Sequence, residues 1–134
     1  MKPMAVLDAS ALLAYLFDEP GAMVVQQALA DCAAISAANW AEALSKASDY
    51  GHDPDRVADR MIADGFIGSA LVIVPVDQPL AREMARLRRA TRASGLSLGD
   101  RACLALGIRL GLPVISADRQ WKTLKLGVEV RLIR

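Results

Sequence analysis

Short uninterrupted apolar runs along this chain alternate with longer stretches in which leucine, valine and alanine recur every three or four positions. The first pattern predicts buried strands and the second predicts helices. Met4 to Leu7 is the first apolar run and stops at Asp8, after which Leu12, Leu13 and Leu16 fall at helical spacing across Ser10 to Phe17. Pro20 suits the first turn of a second helix reaching about Asp31, because proline lacks an amide that a first turn leaves unpaired anyway. Ala33 to Ala37 predicts a second strand, followed by a helix over Asn39 to Tyr50 that Gly51 ends. Asp53-Pro54-Asp55 opens a further helix with acids in its first turn, where the helix dipole favours them. Leu71 to Val76 reads as the clearest strand, continuous and β-branched in the manner of a strand covered on both faces. Helices follow over Pro79 to Ser94, stopped by Gly95, and over Gly99 to Leu110, stopped by Gly111. Val114 to Ser116 and Val128 to Leu132 complete the predicted strands.

Strands alternating with helices imply parallel βαβ units, hence an α/β fold with helices on both faces of the sheet. Neither an internal repeat nor a linker-like tract interrupts the pattern, so residues 1–134 are read as a single domain. Ligands of such sheets bind beyond the carboxyl ends of the strands, where the strand order reverses. Acids that directly follow strands are therefore the first candidates for chemistry.

Composition narrows the class. At 134 residues with 54% apolar and 23% charged positions, the chain can bury a sizeable core without disulfide staples. Its longest uncharged stretch, Gly65 to Val76, is too short to span a bilayer and contains Gly68 and Pro75. Asp8 interrupts the first apolar run before a secretory segment develops, so a cytoplasmic location is expected. Cys32 and Cys103 stand far apart without metal-ligand spacing and read as small buried apolar residues. The formal net charge is only +1, so attraction to phosphate has to be local. It concentrates in Arg82, Arg86, Arg88, Arg89 and Arg92, with Arg82, Arg86 and Arg89 sharing one helix face.

Four acids sit at strand ends or helix starts, and each has a structural reading of its own. Asp8 and Asp118 can cap the helical segments they precede. Glu42 completes a capping-box spacing with Asn39 and stands four residues before Lys46, while Asp100 stands three residues after Ser97 in the same spacing. Together they mean more, because all four would lie on one rim of a parallel sheet. Two carboxylates about 4 Å apart repel by about 4 kcal/mol at an effective dielectric near 20 unless a proton or cation intervenes. Hard oxygen ligands without His or Cys select Mg²⁺ or Mn²⁺.

Four segments carry a family resemblance: Val6-Leu-Asp8-Ala-Ser10-Ala-Leu, Ile35-Ser-Ala-Ala-Asn-Trp-Ala-Glu42, Leu96-Ser-Leu-Gly-Asp100-Arg-Ala-Cys-Leu-Ala-Leu-Gly and Ile115-Ser-Ala-Asp118-Arg-Gln-Trp. They resemble the four signatures of PIN domains, in the order, spacing and length of the VapC toxins of bacterial toxin–antitoxin pairs. The resemblance implies a three-layer α/β/α fold around a parallel sheet of four or five strands. It also implies a divalent-metal site, endoribonuclease activity leaving 5′-phosphate and 3′-hydroxyl ends, an antitoxin partner and a homodimer. Asp8, Glu42, Asp100 and Asp118 match the family's four acids, and Ser10 and Ser116 its hydroxyl positions near the metal. On this reading Asp8, Asp100 and Asp118 hold Mg²⁺ or Mn²⁺ directly or through waters, and Glu42 orients a ligand water or a second ion. Ser10 and Ser116 support the ligands from behind.

Other chemistries find little to build on. The lone histidine, His52, lies in a Gly-His-Asp-Pro turn and reads as a solvated loop residue, and no glycine-rich phosphate-binding motif occurs. A receiver-like signalling module would use Asp8 and Asp77, yet the paired acids at the first strand and the lysine after the last are missing. Asp77, just before Gln78-Pro79, reads as a helix cap. A catalytically silent PIN-like binding domain stays open. The arginine helix is either a solvated face or a track for RNA phosphates leading to the acids. Apolar positions from Ala22 to Leu29 and Val57 to Ile62 exceed what a domain this size buries alone, which favours self-association or a partner helix.

Overall fold

The computed structural model describes residues 2–134. Its centre is a parallel sheet of β1 (Ala5–Leu7), β2 (Ala33–Ser36), β3 (Leu71–Val74), β4 (Val114–Ser116) and β5 (Val130–Leu132). The five strands lie in the order β3-β2-β1-β4-β5. Val6 pairs with Ala34 on one side and with Val114 on the other, so β1 is the middle strand. The chain winds outward from β1 to β3, then returns to add β4 and β5 on the opposite flank. The strand order therefore reverses between β1 and β4, and Asp8 and Ser116 stand at the carboxyl ends of those two strands.

Alternation along the strands sends successive side chains to opposite faces and builds two cores. Leu7, Ile35 and Ile115 join the core beneath α1 (Ala9–Leu16), α2 (Ala22–Ala30), α3 (Ala37–Asp49) and α4 (Pro54–Ala63). Val6, Ala34 and Val114 join the core beneath α5 (Gln78–Thr91) and α6 (Leu98–Leu110). This is the three-layer α/β/α arrangement. Trp121, fully buried in the second core, anchors the 3₁₀ turn Arg119–Thr123 that follows Asp118.

Side chains at the strand ends start most of the helices by accepting otherwise orphaned first-turn amides. Asp8 caps α1, Ser36 α3, Asp53 α4 and Asp77 α5, while Ser97 and Asp100 form a reciprocal capping box on α6. Asp77 is also held by both guanidinium nitrogens of Arg109 at 3.0 Å, which lowers its pKa and ties α5 to the far end of α6.

Four elements depart from the periodicity reading. Leu71 to Val76 was expected to be covered on both faces, but β3 is an edge strand ending at Val74 in which only Leu71 is fully buried. Pro75 offers no amide to continue the ladder. β5, at the other edge, begins at Val130 instead of Val128. Pro20 lies outside α2, which is entered through Gly21 at φ 95°. A Cβ on Gly21 would come within 2.7 Å of Ile133, so backbone conformation and space both demand glycine there. Finally, α3 starts at Ala37, because Ser36 and not Asn39 caps it by accepting the Asn39 amide at 3.1 Å.

Candidate active site

Asp8 occupies the point where the strand order reverses, and the residue is 5% exposed. Three donors meet it. The Ala11 amide donates to Oδ1 at 2.8 Å, the Ser10 hydroxyl to the same oxygen at 2.7 Å, and the Ser116 hydroxyl to Oδ2 at 2.6 Å. Each serine is oriented in turn: the Ala117 amide donates to Ser10 Oγ at 2.9 Å and the Asp118 amide to Ser116 Oγ at 3.0 Å. Two chains of the form amide to hydroxyl to carboxylate thus converge on Asp8, one through α1 and one through the end of β4. Such chains polarise one another and hold the carboxylate in one orientation. Burial nevertheless dominates, and with the repulsion of Asp100 it lifts the Asp8 pKa to about 6 against the lowering effect of the hydrogen bonds.

Glu42 stands on the second turn of α3 and Asp100 on the first turn of α6. The pKa of Glu42 is raised by its partial burial and then by the negative charge of Asp100, while Lys46 lowers it from a distance. The expected close ion pair between Glu42 and Lys46 does not form among the described residues. Beneath these acids lies the buried Cys103 thiol, whose pKa is pushed up by burial and further by Asp8, Asp100 and Glu42. One point on α6 thus feels all three carboxylates. Cys103 and Cys32 are both buried, and the Cys32 thiol donates to the Ser69 carbonyl at 3.2 Å.

Asp118 lies two residues past β4, on the same edge of the sheet as Asp8, and is linked to it through Ser116. Its carboxylate accepts the Gln120 amide at 3.0 Å and caps the 3₁₀ turn. Asp100 likewise accepts the Ser97 amide at 3.0 Å. Both capping readings therefore hold beside any functional one, since an ionised carboxylate has lone pairs left for a further partner.

Two residues of the site were not singled out as functional from sequence. Asn39 is buried, accepts the Ser36 hydroxyl at 2.6 Å and donates Nδ2 to the Gly99 carbonyl at 3.0 Å. Gly99 gives Glu42 room: an ideal Cβ there would stand 2.6 Å from Glu42 Oε1. The one local signal is that glycine inside a helix costs up to about 1 kcal/mol relative to alanine, which hints at a close approach.

The donor set suits a hard divalent cation. The negative charge of Asp100 raises the proton affinity of both Asp8 and Glu42, and none of the three forms an ion pair with a basic side chain among the described residues. Among the described residues no three acidic, His or Cys side chains stand close enough to ligate one ion together. Away from the site, Arg82, Arg88, Arg89 and Arg92 are exposed without an ion pair among the described residues, while Arg86 pairs with Glu83 on its own helix. His52 is exposed and leans on the Phe17 ring at 5.0 Å.

The PIN domain family profile matches residues 5–125. No curated protein matches the chain significantly. Among solved structures, a toxin–antitoxin complex from Klebsiella pneumoniae is similar with a TM-score of 0.66 at 26% identity, over 92% of this chain and 94% of that one. DNA-bound VapBC from Salmonella typhimurium gives a TM-score of 0.74 at 18% identity, over 99% of this chain and 100% of that one. A sarcin-ricin loop cleaving VapC toxin from Mycobacterium tuberculosis gives 0.71 at 14% identity, over 93% and 98%.

Proposed function

The chain belongs to the PIN domain family, and from that premise we propose that it is a divalent-metal-dependent endoribonuclease acting as the toxin of a toxin–antitoxin pair. The observation that carries the reading is the buried Asp8 carboxylate at the sheet's reversal point, held by Ser10 and Ser116 and facing the negative charge of Asp100. An acid kept there without a cationic side chain beside it is stabilised by a bound ion and destabilised without one. Asp8, Asp100 and Asp118 would hold Mg²⁺ or Mn²⁺ directly or through waters, with Glu42 orienting a ligand water. When bound, the ion would supply Lewis-acid charge to activate a water and to offset the negative charge of the phosphodiester. Ser10 and Ser116 keep the Asp8 lone pairs aimed, and burial of Asp8 lowers the local dielectric in which these charges act.

The partners follow from the same reading. The toxin–antitoxin and VapBC assemblies among the similar structures support a small antitoxin as partner. An arginine of that partner inserted between Asp8, Asp100 and Asp118 would neutralise the rim and exclude RNA. Exposed Met23, Val24 and Ile62 on α2 and α4 supply apolar surface for a homodimer or the antitoxin. We place the activity in the cytoplasm; no helix among the described residues is long and apolar enough to cross a membrane.

The direct test is to incubate purified protein with total RNA, with Mg²⁺ or with EDTA, and to map the cuts. Discrete cuts bearing 5′-phosphates that need the metal support the reading. Intact RNA under both conditions leaves a silent PIN-like binding domain in its place. Expression alone should arrest growth, and co-expression of the neighbouring small open reading frame should restore it.

The exposed arginines of α5 provide the RNA track. Arg86 and Arg89 border a shallow hollow together with Ala85. Reversing both charges should weaken RNA binding by about an order of magnitude at low salt and flatten its salt dependence, because fewer counterions are released. Filter binding across a salt series reads this, and unchanged slopes would return α5 to an ordinary solvated face.

A further inference from the structure

Resting on the metal-site reading above, we propose that Asn39 is a positioning residue that locks α3 to α6 and thereby sets the spacing of Glu42 and Asp100 around the ion, with Gly99 as the surface it locks onto. Asn39 is 1% exposed, and both ends of its side-chain amide are used. Ser36 Oγ accepts the Asn39 backbone amide at 3.1 Å and spends its own proton on Asn39 Oδ1 at 2.6 Å. The orientation of the amide is settled by the Gly99 carbonyl, which can only accept, so the nitrogen must face it and the oxygen the Ser36 hydroxyl. The nitrogen then donates to the Gly99 carbonyl at 3.0 Å, joining residues 60 apart in sequence.

The location of this bond sets it apart from ordinary packing. Glu42 lies three residues beyond Asn39, one turn along the same face of α3. Asp100 is the residue directly after Gly99. A single hydrogen bond therefore anchors the two helices within one turn of one acid and one residue of the other. Gly99 completes the arrangement from the other side, because its missing side chain leaves the space that Glu42 Oε1 enters. Two carboxylates carried on separate helices push those helices apart. The bond from Asn39 opposes that push, and the gap at Gly99 lets Glu42 lean over the start of α6 instead of turning out to solvent.

The two residues permit a test in which stability and metal affinity move independently. In Asn39→Ala the Gly99 carbonyl and the Ser36 hydroxyl lose their partner, which lowers both stability and affinity. In Gly99→Ala the added methyl would stand 2.6 Å from the far end of the flexible Glu42 side chain and in ordinary contact, 3.7 Å, with Asn39 Nδ2, and alanine favours the helix, so the fold should melt no lower than wild type while Glu42 is displaced. Thr91→Val removes a comparably buried hydroxyl, the one donating to the Leu87 carbonyl at 2.7 Å in α5, and serves as the control for stability loss alone.

Calorimetric titration of the full chain with Mn²⁺, below every melting temperature, reads the outcome. We expect saturable binding to wild type and to Thr91→Val with equal affinity. Asn39→Ala and Gly99→Ala should bind about ten-fold more weakly, the loss typical when a residue that orients a ligand is removed. Wild-type affinity in both variants would overturn the positioning role while leaving the metal site standing. Should Asn39→Ala fail to fold, Gly99→Ala alone decides, and wild-type affinity there overturns the proposal. Absence of Mn²⁺ binding by the wild-type chain would overturn the metal-site reading and this inference together.

Discussion

Replacing Asp8 with asparagine is expected to abolish metal-dependent RNA cleavage, by on the order of 10³-fold or more, while making the metal-free protein more stable at neutral pH. Loss of activity follows from removing the charge that the two serine chains present at the sheet's reversal point; a metal's contribution to the transition state is several kcal/mol. The gain in stability follows from burial. The Asp8 pKa stands at about 6 in the fold against an ordinary 3.8. Between pH 4 and 6 the folded chain therefore holds a proton that the unfolded chain has released, so stability falls as pH rises through this window. Above it the full cost of the buried charge is present, up to about 3 kcal/mol for a shift of this size. Asparagine removes that cost but brings an amide hydrogen where Ser10 and Ser116 both already donate, so part of the gain is lost to reorienting one hydroxyl. Thermal melts in EDTA from pH 4 to 8 should show the two proteins converging at the acid end, the variant pulling ahead as pH rises from 4 to 6 and keeping its full lead above. A variant that melts lower than wild type at pH 7, or that cleaves at the wild-type rate, would remove Asp8 from the role assigned to it.

Divalent metal should act on the same charges from the opposite direction. Chelation is expected to reduce cleavage to background, and Mg²⁺ or Mn²⁺ at about a hundred times its dissociation constant should stabilise the folded chain by about 2.7 kcal/mol. For a chain of this size that corresponds to a rise in Tm of roughly 10 °C. The rise should shrink in Asp8→Asn, which no longer presents the charge the ion neutralises. Equal metal-induced shifts in the two proteins would place the ion elsewhere. The two experiments together separate a ligand from a cap: if Asp8 only capped α1, asparagine, an equally good cap, would leave both the stability and the response to metal nearly intact.

Local chemistry in the chain was enough to announce most of the elements. The alternation of apolar runs with helical periodicity, the acids and serines that begin the helices, and the glycines that end them are properties of neighbouring residues, and they survive into the fold because capping and periodicity act within a turn or two. So do the positions of Asp8, Asp100 and Asp118 at strand ends or helix starts, whereas Glu42 falls on the second turn of α3 because that helix begins at Ala37. Strand order is a different kind of property. Leu71 to Val74 reads as an interior strand by composition, yet it lies at the sheet's edge, because nothing in an apolar run states how many neighbours it will have. The same holds for the entry to α2, where the space beside Gly21 is filled by Ile133 from the other end of the chain. Burial of Asp8 depends on Ser116, which is 108 residues away and reaches it only because β4 pairs with β1. Asn39 looked like a cap from its neighbours and became a tie between helices when Gly99, 60 residues on, was brought against it. Types and termini of elements were thus decided by short-range hydrogen bonding and periodicity. The proton affinity of Asp8 and the spacing of Glu42 and Asp100 were decided by tertiary packing, because desolvation and close approach depend on residues distant in sequence.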